Sequence, residues 1–196
     1  MRLRPLVPVV GSVGAGSVLV ALAVALPGGG VSPFLVRLVE LVLAGGAAYL
    51  LDDPAAGLTG VTPRSLWRRR APTLVGGLTV LVTAWMAILV LLRWLGSLLS
   101  VRVLTGELVV LVAVAVALAA VLVWRGDPAP GSRVAPIVGI VGMSALIAEP
   151  LLRAPIFLPA DGGGDLSGWL GWTAVGLLAV AVILLASRDP ASRWRR

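Results

Sequence analysis

The chain contains no cysteine, no histidine and no lysine, and its aromatic residues are limited to seven Trp, two Phe and one Tyr. Without cysteine no disulfide forms, and without either cysteine or histidine the thiolate and imidazole metal sites are excluded. Ser–His and Cys–His catalysis are excluded with them. That removes intramembrane metalloproteases and rhomboid-like proteases with a Ser–His pair. Without lysine there is no Walker A motif, so this chain alone does not hydrolyse ATP. Acidic residues are few as well: nine against sixteen cations, all of them arginine, for a formal charge of +7. Arginine without lysine, in a chain rich in Ala, Val, Leu and Gly, points to a high-GC genome.

What is present is apolar length. Residues of hydrophobic type make up 59% of the chain and the mean hydropathy is +1.03, too high for a soluble domain of ordinary composition. Six apolar runs carry it: Leu6–Leu26, Pro33–Leu51, Pro72–Leu92, Val103–Trp124, Val134–Leu152 and Leu166–Ala186. A membrane span needs about 20 apolar residues. Inside hydrocarbon no water satisfies the backbone, so such runs cross only as helices. The six runs use most of the 196 residues, and no soluble domain fits between them. The expected architecture is all-α, a single transmembrane domain over residues 1–196 built as a bundle of six helices. The first run has a basic start and an Ala23-Val24-Ala25 triplet, as a signal peptide does. Its apolar stretch is longer than the usual signal core of about 7–15 residues, so it is read as a span.

Arginine sets the orientation. Fifteen of the sixteen arginines lie at or outside the ends of the runs; Arg37 alone lies within one. With the N-terminus inside, the cytoplasmic segments hold Arg2, Arg4, Arg64, Arg68, Arg69, Arg70, Arg125, Arg133, Arg188, Arg193, Arg195 and Arg196. The outer side holds Arg93, Arg102 and Arg153. By the positive-inside rule both termini are expected in the cytoplasm, in a multi-pass protein of the cell's inner (plasma) membrane. The same rule accounts for the pI of about 11.7, which needs contact with anionic lipid and no nucleic acid.

The connections differ by side. On the outer side, Arg153–Asp165 is the longest loop and carries Asp161-Gly162-Gly163-Gly164-Asp165, a flexible polar turn. On the inner side, Asp52–Ala71 is the largest connection. The even-numbered spans end on related turns: Asp52-Asp53-Pro54-Ala55, Asp127-Pro128-Ala129 and Asp189-Pro190-Ala191. Proline stops a helix and biases the residue before it away from helical geometry, so these turns read as terminators that share one face. Within the large inner connection Thr62 can cap a helix opened by Pro63. The following Arg64-Ser65-Leu66-Trp67-Arg68-Arg69-Arg70 is read as a short interfacial helix, with Leu66 and Trp67 apolar among cations. Trp94, Trp169 and Trp172 are expected near the outer interface and Trp124 near the inner one, with Trp85 inside span three as packing or lipid-facing. Gly11 with Ala15, Ser12 with Gly16, Ala44 with Ala48, and Ala135 with Gly139 fit small-xxx-small contacts between helices.

The acids are sorted by type. All six aspartates lie in loops or at span ends, whereas Glu40, Glu107 and Glu149 lie within spans. Charges there are costly and usually face protein or water. Arg37 with Glu40 and Glu149 with Arg153 share helix faces, so local pairing is expected. All five fall in the outer half, where Arg37, Glu40, Glu107, Glu149 and Arg153 are read as a polar vestibule or an external gate closed by ion pairs. Snorkelling and pairing for stability alone is the plainer alternative.

The stretch Ala47-Ala48-Tyr49-Leu50-Leu51-Asp52-Asp53-Pro54-Ala55-Ala56, then Thr62-Pro63-Arg64-Ser65-Leu66-Trp67-Arg68-Arg69-Arg70, and finally Arg188-Asp189-Pro190-Ala191, resembles a family of small actinobacterial membrane proteins classed as transporter permeases. Glu107 opening the fourth span fits the pattern. The resemblance implies a permease subunit of an ATP-binding-cassette exporter, working with a separate cytoplasmic ATPase and with a second copy or a second permease. Its motifs define no catalytic site in this chain, and the composition points to no cofactor and no metal. Asp52, Asp53, Arg64, Trp67, Arg68, Arg69 and Arg70 are then the expected docking residues. Two other readings stand beside it: a non-transporting scaffold or regulatory subunit, and an autonomous small carrier using the outer carboxylates. The absence of native cysteine makes the topology easy to test. Single cysteines introduced at Ala56 and Gly163 are expected to react with an impermeant thiol reagent from opposite sides of the membrane, and same-side labelling overturns the orientation.

Overall fold

The computed structural model describes residues 7–25, 32–52, 66–152, 156–159 and 166–186. The described residues are helical almost throughout, in six long helices: α1 (Val7–Ala25), α2 (Pro33–Ala48), α3 (Leu66–Trp94), α4 (Val101–Trp124), α5 (Gly131–Leu152) and α6 (Leu166–Ala186). A single 3-10 turn, Tyr49–Leu51, extends α2. Five of the helices are long and apolar enough to cross a membrane, counting α2 with its 3-10 turn, and α1 contributes a shorter apolar stretch, Val7–Leu19. The protein is an all-α, multi-pass membrane protein, as its apolar runs predict.

The helices start and stop where the sequence signals it. Pro33 occupies the first turn of α2, where its missing N–H costs nothing. The α3 and α4 helices end on Gly96 and Gly126, both at positive φ (72° and 92°), a backbone that favours glycine. One expectation is modified. The residues Leu66–Arg70 are helical, but they continue without a break into span three, so they belong to one rod of 29 residues; Thr62, Pro63, Arg64 and Ser65 lie outside the described residues. Pro72 lies inside that rod. It removes the N–H that ordinarily donates to the carbonyl of Arg68, which locally weakens the helix without ending it.

The α2 helix is the axis of the bundle. It packs on α1, α4 and α5, while α4 in turn packs on α6. Val36, Val39, Leu41, Leu43, Ala44, Ala47 and Ala48 are all buried. Apolar side chains gain nothing by leaving lipid, so close approach and dispersion hold such helices together. Two glycines mark the closest approaches. A Cβ on Gly46 would lie 2.7 Å from Ser12 Cβ on α1, and a Cβ on Gly131 would lie 2.7 Å from the Tyr49 Cα. Of the small-residue pairs expected from sequence, Ser12 and Gly16 face α2, and Ala44 and Ala48 are buried; Gly11 and Gly139 meet no neighbour within 4 Å. Trp85 is buried on α3, and its Nε1–H donates to Thr105 Oγ1 of α4 at 3.2 Å. Its role is therefore packing.

Away from α2 the surface is apolar. Val75, Val82, Met86 and Val90 on α3, Ile140, Val141 and Leu151 on α5, and Leu177, Leu178 and Leu184 on α6 are exposed, as lipid-facing residues are. Overpacking a tight contact typically costs about 1–3 kcal/mol. Gly46→Ala is therefore expected to lower the thermal unfolding temperature in detergent, because the added methyl would lie 2.7 Å from Ser12 Cβ, with the Val9 backbone 3.7 Å away behind it. Gly139→Ala is expected to leave it unchanged or raise it. Equal effects of the two would refute the α1–α2 packing.

Candidate functional site, a buried ion cluster

Sequence places one cation and three carboxylates within the predicted apolar spans, and the fold decides which of them meet. Arg37 sits one turn into α2, Glu107 in the second turn of α4 and Glu149 near the end of α5. Because α2 contacts both α4 and α5, all three are brought to one end of the bundle. Arg37 uses its planar fork on Glu107: Nε lies 3.4 Å from Oε2, and Nη2 lies 3.4 Å from Oε1. Its Nη1 lies 3.4 Å from Glu149 Oε2. This two-sided engagement of carboxylates is what guanidinium geometry allows and an ammonium does not.

A piece of irregular chain closes the cluster. In residues 156–159 the Leu158 N–H donates to Glu107 Oε1 at 2.6 Å, and the Leu158 carbonyl accepts from Arg37 Nη2. One residue's backbone thus contacts both charges. Phe157 lies against the guanidinium, with the Arg37 Cζ 4.7 Å from its ring centroid. Phe157 also packs on Trp172 of α6 at 5.8 Å between centroids, and Trp172 Nε1–H donates to the Ile156 carbonyl at 3.3 Å. Phe157 and Leu158 are buried. Irregular backbone inside a membrane protein needs protein partners of this kind.

The expected local pairing of Arg37 with Glu40 is overturned. The ion pairs of Arg37 run to Glu107 and Glu149. Glu40 is fully buried, and neither of its carboxylate oxygens has a hydrogen-bond partner. The physical reason is that Arg37's donors are taken by groups on three other segments. A helix face shared with Glu40 brings the two side chains near each other but does not orient them. The expected partner of Glu149, Arg153, lies outside the described residues. Sequence reasoning missed Phe157, Leu158 and Trp172. A signal was present: Ile156-Phe157-Leu158-Pro159 is an apolar tetrad inside an otherwise polar loop.

The other end of α2 carries the expected docking residues. Asp52 Oδ1 accepts from the Gly131 N–H at 2.7 Å, which caps α5 from a different turn. Asp127 Oδ1 accepts from the Ala129 N–H at 3.0 Å, and its largely covered Oδ2 lies 3.2 Å from the Nε of the exposed Arg133. Asp52, which leads into the first Asp-Pro turn, therefore lies beside the start of α5, just after the second. Trp67, Arg68, Arg69 and Arg70 lie on the first turns of α3, with their side chains outside what the structure describes. Asp53, Arg64 and the third turn at Asp189 lie outside the described residues.

Together these features define a multi-pass membrane protein with a cross-helix ion cluster sealed at one end. No family model, curated protein or solved structure matches the chain.

Stranding a buried charge costs about 3–5 kcal/mol, whereas exposed pairs are worth about 0–1 kcal/mol. Arg37→Met leaves two carboxylates without their cation and is expected to be the most destabilising change in the cluster. Glu107→Gln, at a fully buried position, is expected to come next, and Glu149→Gln, whose side chain is 25% exposed, last. Folded yield and unfolding temperature in detergent give the order. A Glu149→Gln loss equal to that of Arg37→Met would contradict it.

Proposed function

We propose that the chain is the permease subunit of an ATP-driven exporter, acting with a separate cytoplasmic ATPase and with a second permease copy or paralogue. The observation that carries this reading is the unbroken α3 rod. Its 29 residues measure about 44 Å at 1.5 Å per residue, against a hydrocarbon core of about 30 Å. The segment Leu66–Arg70 is thus an unbroken helical continuation of a membrane helix, rich in arginine and bearing a tryptophan. Force applied there reaches the bundle axis directly, because Leu50 of the 3-10 turn packs over Gly77 of α3. From that turn α2 runs straight to Arg37 and the ion cluster at its far end. A rod joined to the axis that bears a gate is the mechanical arrangement an ATPase-driven permease needs.

In this reading the Asp52 end is cytoplasmic, following the arginine bias, and the cluster is an external gate closed by Arg37 and covered by Phe157 and Leu158. The apolar faces of α5 and α6 give a second permease room to pack. A second reading, an autonomous carrier, draws support from Glu40, a buried acid with no partner. ATP-independent transport by the purified chain in liposomes favours that carrier.

Aromatic and arginine residues dominate binding hot spots, where truncation costs about 2 kcal/mol or more. Trp67→Ala combined with Arg68→Ala is therefore expected to abolish co-purification of the ATPase from the native host while membrane insertion survives. Recovery of the wild-type protein alone, with no ATPase attached, refutes the permease reading. Recovery of the ATPase with the double variant refutes docking through α3 and leaves lipid contact as the role of these residues.

A further inference from the structure

Two buried carboxylates, Glu40 and Glu107, with the half-buried Glu149 beside them, cannot all be ionised around one guanidinium without leaving surplus negative charge inside the protein. Glu107 and Glu149 share Arg37. The Arg37 donors Nε, Nη1 and Nη2 are engaged on those two acids and on the Leu158 carbonyl. Glu40 is fully buried and both of its oxygens lack a partner. An ionised carboxylate in that position has no donor to replace water, and the penalty is several kcal/mol; a buried group of this kind neutralises instead. No group of acids among the described residues is arranged to hold a metal ion. The ligand that fits one carboxyl without donors around it is a proton.

The charges that act on Glu40 come from two helices: Arg37 on its own helix and Glu107 on α4. From α5, Glu149 acts through its bond to Arg37. The α1 helix, which packs along α2, carries no titratable residue in Val7–Ala25. Those of α3 are the arginines near its two ends, Arg68, Arg69, Arg70 and Arg93. The α4 helix adds Arg102, whose guanidinium lies over the Trp169 ring at 5.5 Å. On α5, Arg133 is held at the opposite end by Asp127. Among the described residues Arg37 is therefore the cation placed to respond if Glu40 loses its proton. The two stand three apart on one helix, where side chains are neighbours.

We propose that Glu40 is a proton-binding site that controls the Arg37 clamp. With the proton on, Arg37 stays on Glu107, Glu149 and the Leu158 carbonyl, and residues 156–159 cover the cluster. Loss of the proton to water turns the carboxylic acid into a carboxylate, which draws Arg37 toward itself. The bond to the Leu158 carbonyl breaks, and the covering segment is released. This inference does not rest on an ATPase partner, and its test uses the isolated protein.

The chain has no native cysteine, so Ile156→Cys, at a partly exposed position of the covering segment, gives a clean reporter. Its labelling rate by a soluble thiol reagent is measured against pH in the otherwise wild-type protein and in the Glu40→Gln and Glu40→Met backgrounds, which also corrects for titration of the thiol. The ratio of wild-type to Glu40→Gln rate is expected to rise with pH by up to about tenfold per unit, the limit for release of one proton. Both neutral variants are expected to fold, since each replaces a neutral acid. An infrared difference spectrum between acid and alkaline protein is expected to show loss of a protonated carboxyl band that Glu40→Gln removes. A flat rate ratio, a carboxyl band that survives Glu40→Gln, or failure of both neutral variants to fold overturns the proposal.

Discussion

The bundle depends on one guanidinium. Arg37 is the buried cation among the described residues, and it ties α2 to α4, to α5 and to the backbone of Leu158. In a membrane, apolar packing supplies little preference for one helix arrangement over another, because lipid is as apolar as leucine. A charge with directional donors supplies that preference. The position of α2 at the centre follows: the helix that carries the cation must be reachable from every helix that carries an acid. Phe157 and Trp172 extend the same logic to α6, which bears no ionisable side chain within Leu166–Ala186.

The two ends of α2 are held by different means. At the Pro33 end the attachment is ionic and largely buried, with Glu149 at its partly exposed edge. At the other end it is a backbone N–H on a carboxylate, Gly131 on Asp52, and it works only because Gly131 has no side chain to meet Tyr49. Between them lies a stretch of small residues, Ala44 to Ala48, where α1 and α5 approach closely. The Asp-Pro turns that read as helix stops thus acquire a second role, because one of them caps the helix that follows the other.

The spans were legible because bilayer thickness fixes how many apolar residues a crossing needs, and the charge-free runs have that length. The gathering of Arg37, Glu107 and Glu149 at one end was legible from depth alone, given alternating helix direction. Their pairing was not. Arg37 lies 70 residues from Glu107 and 112 from Glu149, and which side chain points at which depends on helix rotation, which sequence spacing does not encode. Local spacing offered Glu40 instead, and three other segments outcompeted it. The Leu158 carbonyl and N–H carry no side-chain signature at all. The interfacial helix was read as separate because Pro72 resembles a start signal, yet a proline early in a helix weakens the backbone without breaking it when the next turns are strongly apolar.

Glu40 is the feature that stability does not explain. Replacing a buried ionic group by an apolar residue of similar size is often neutral or stabilising. One arginine and two acids already close the cluster, so a third carboxyl without a partner lowers stability and adds no contact. Its place on the face of α2 next to Arg37 is where a competing acid has leverage, because the ion pairs that hold the guanidinium to Glu107 and Glu149, at 3.4 Å, lie at the long end of the range and leave the Leu158 carbonyl as its other acceptor. A proton is the smallest ligand that can decide such a competition, and it needs no open cavity to reach its site. The same cluster that fixes the helices can therefore release the segment that covers them.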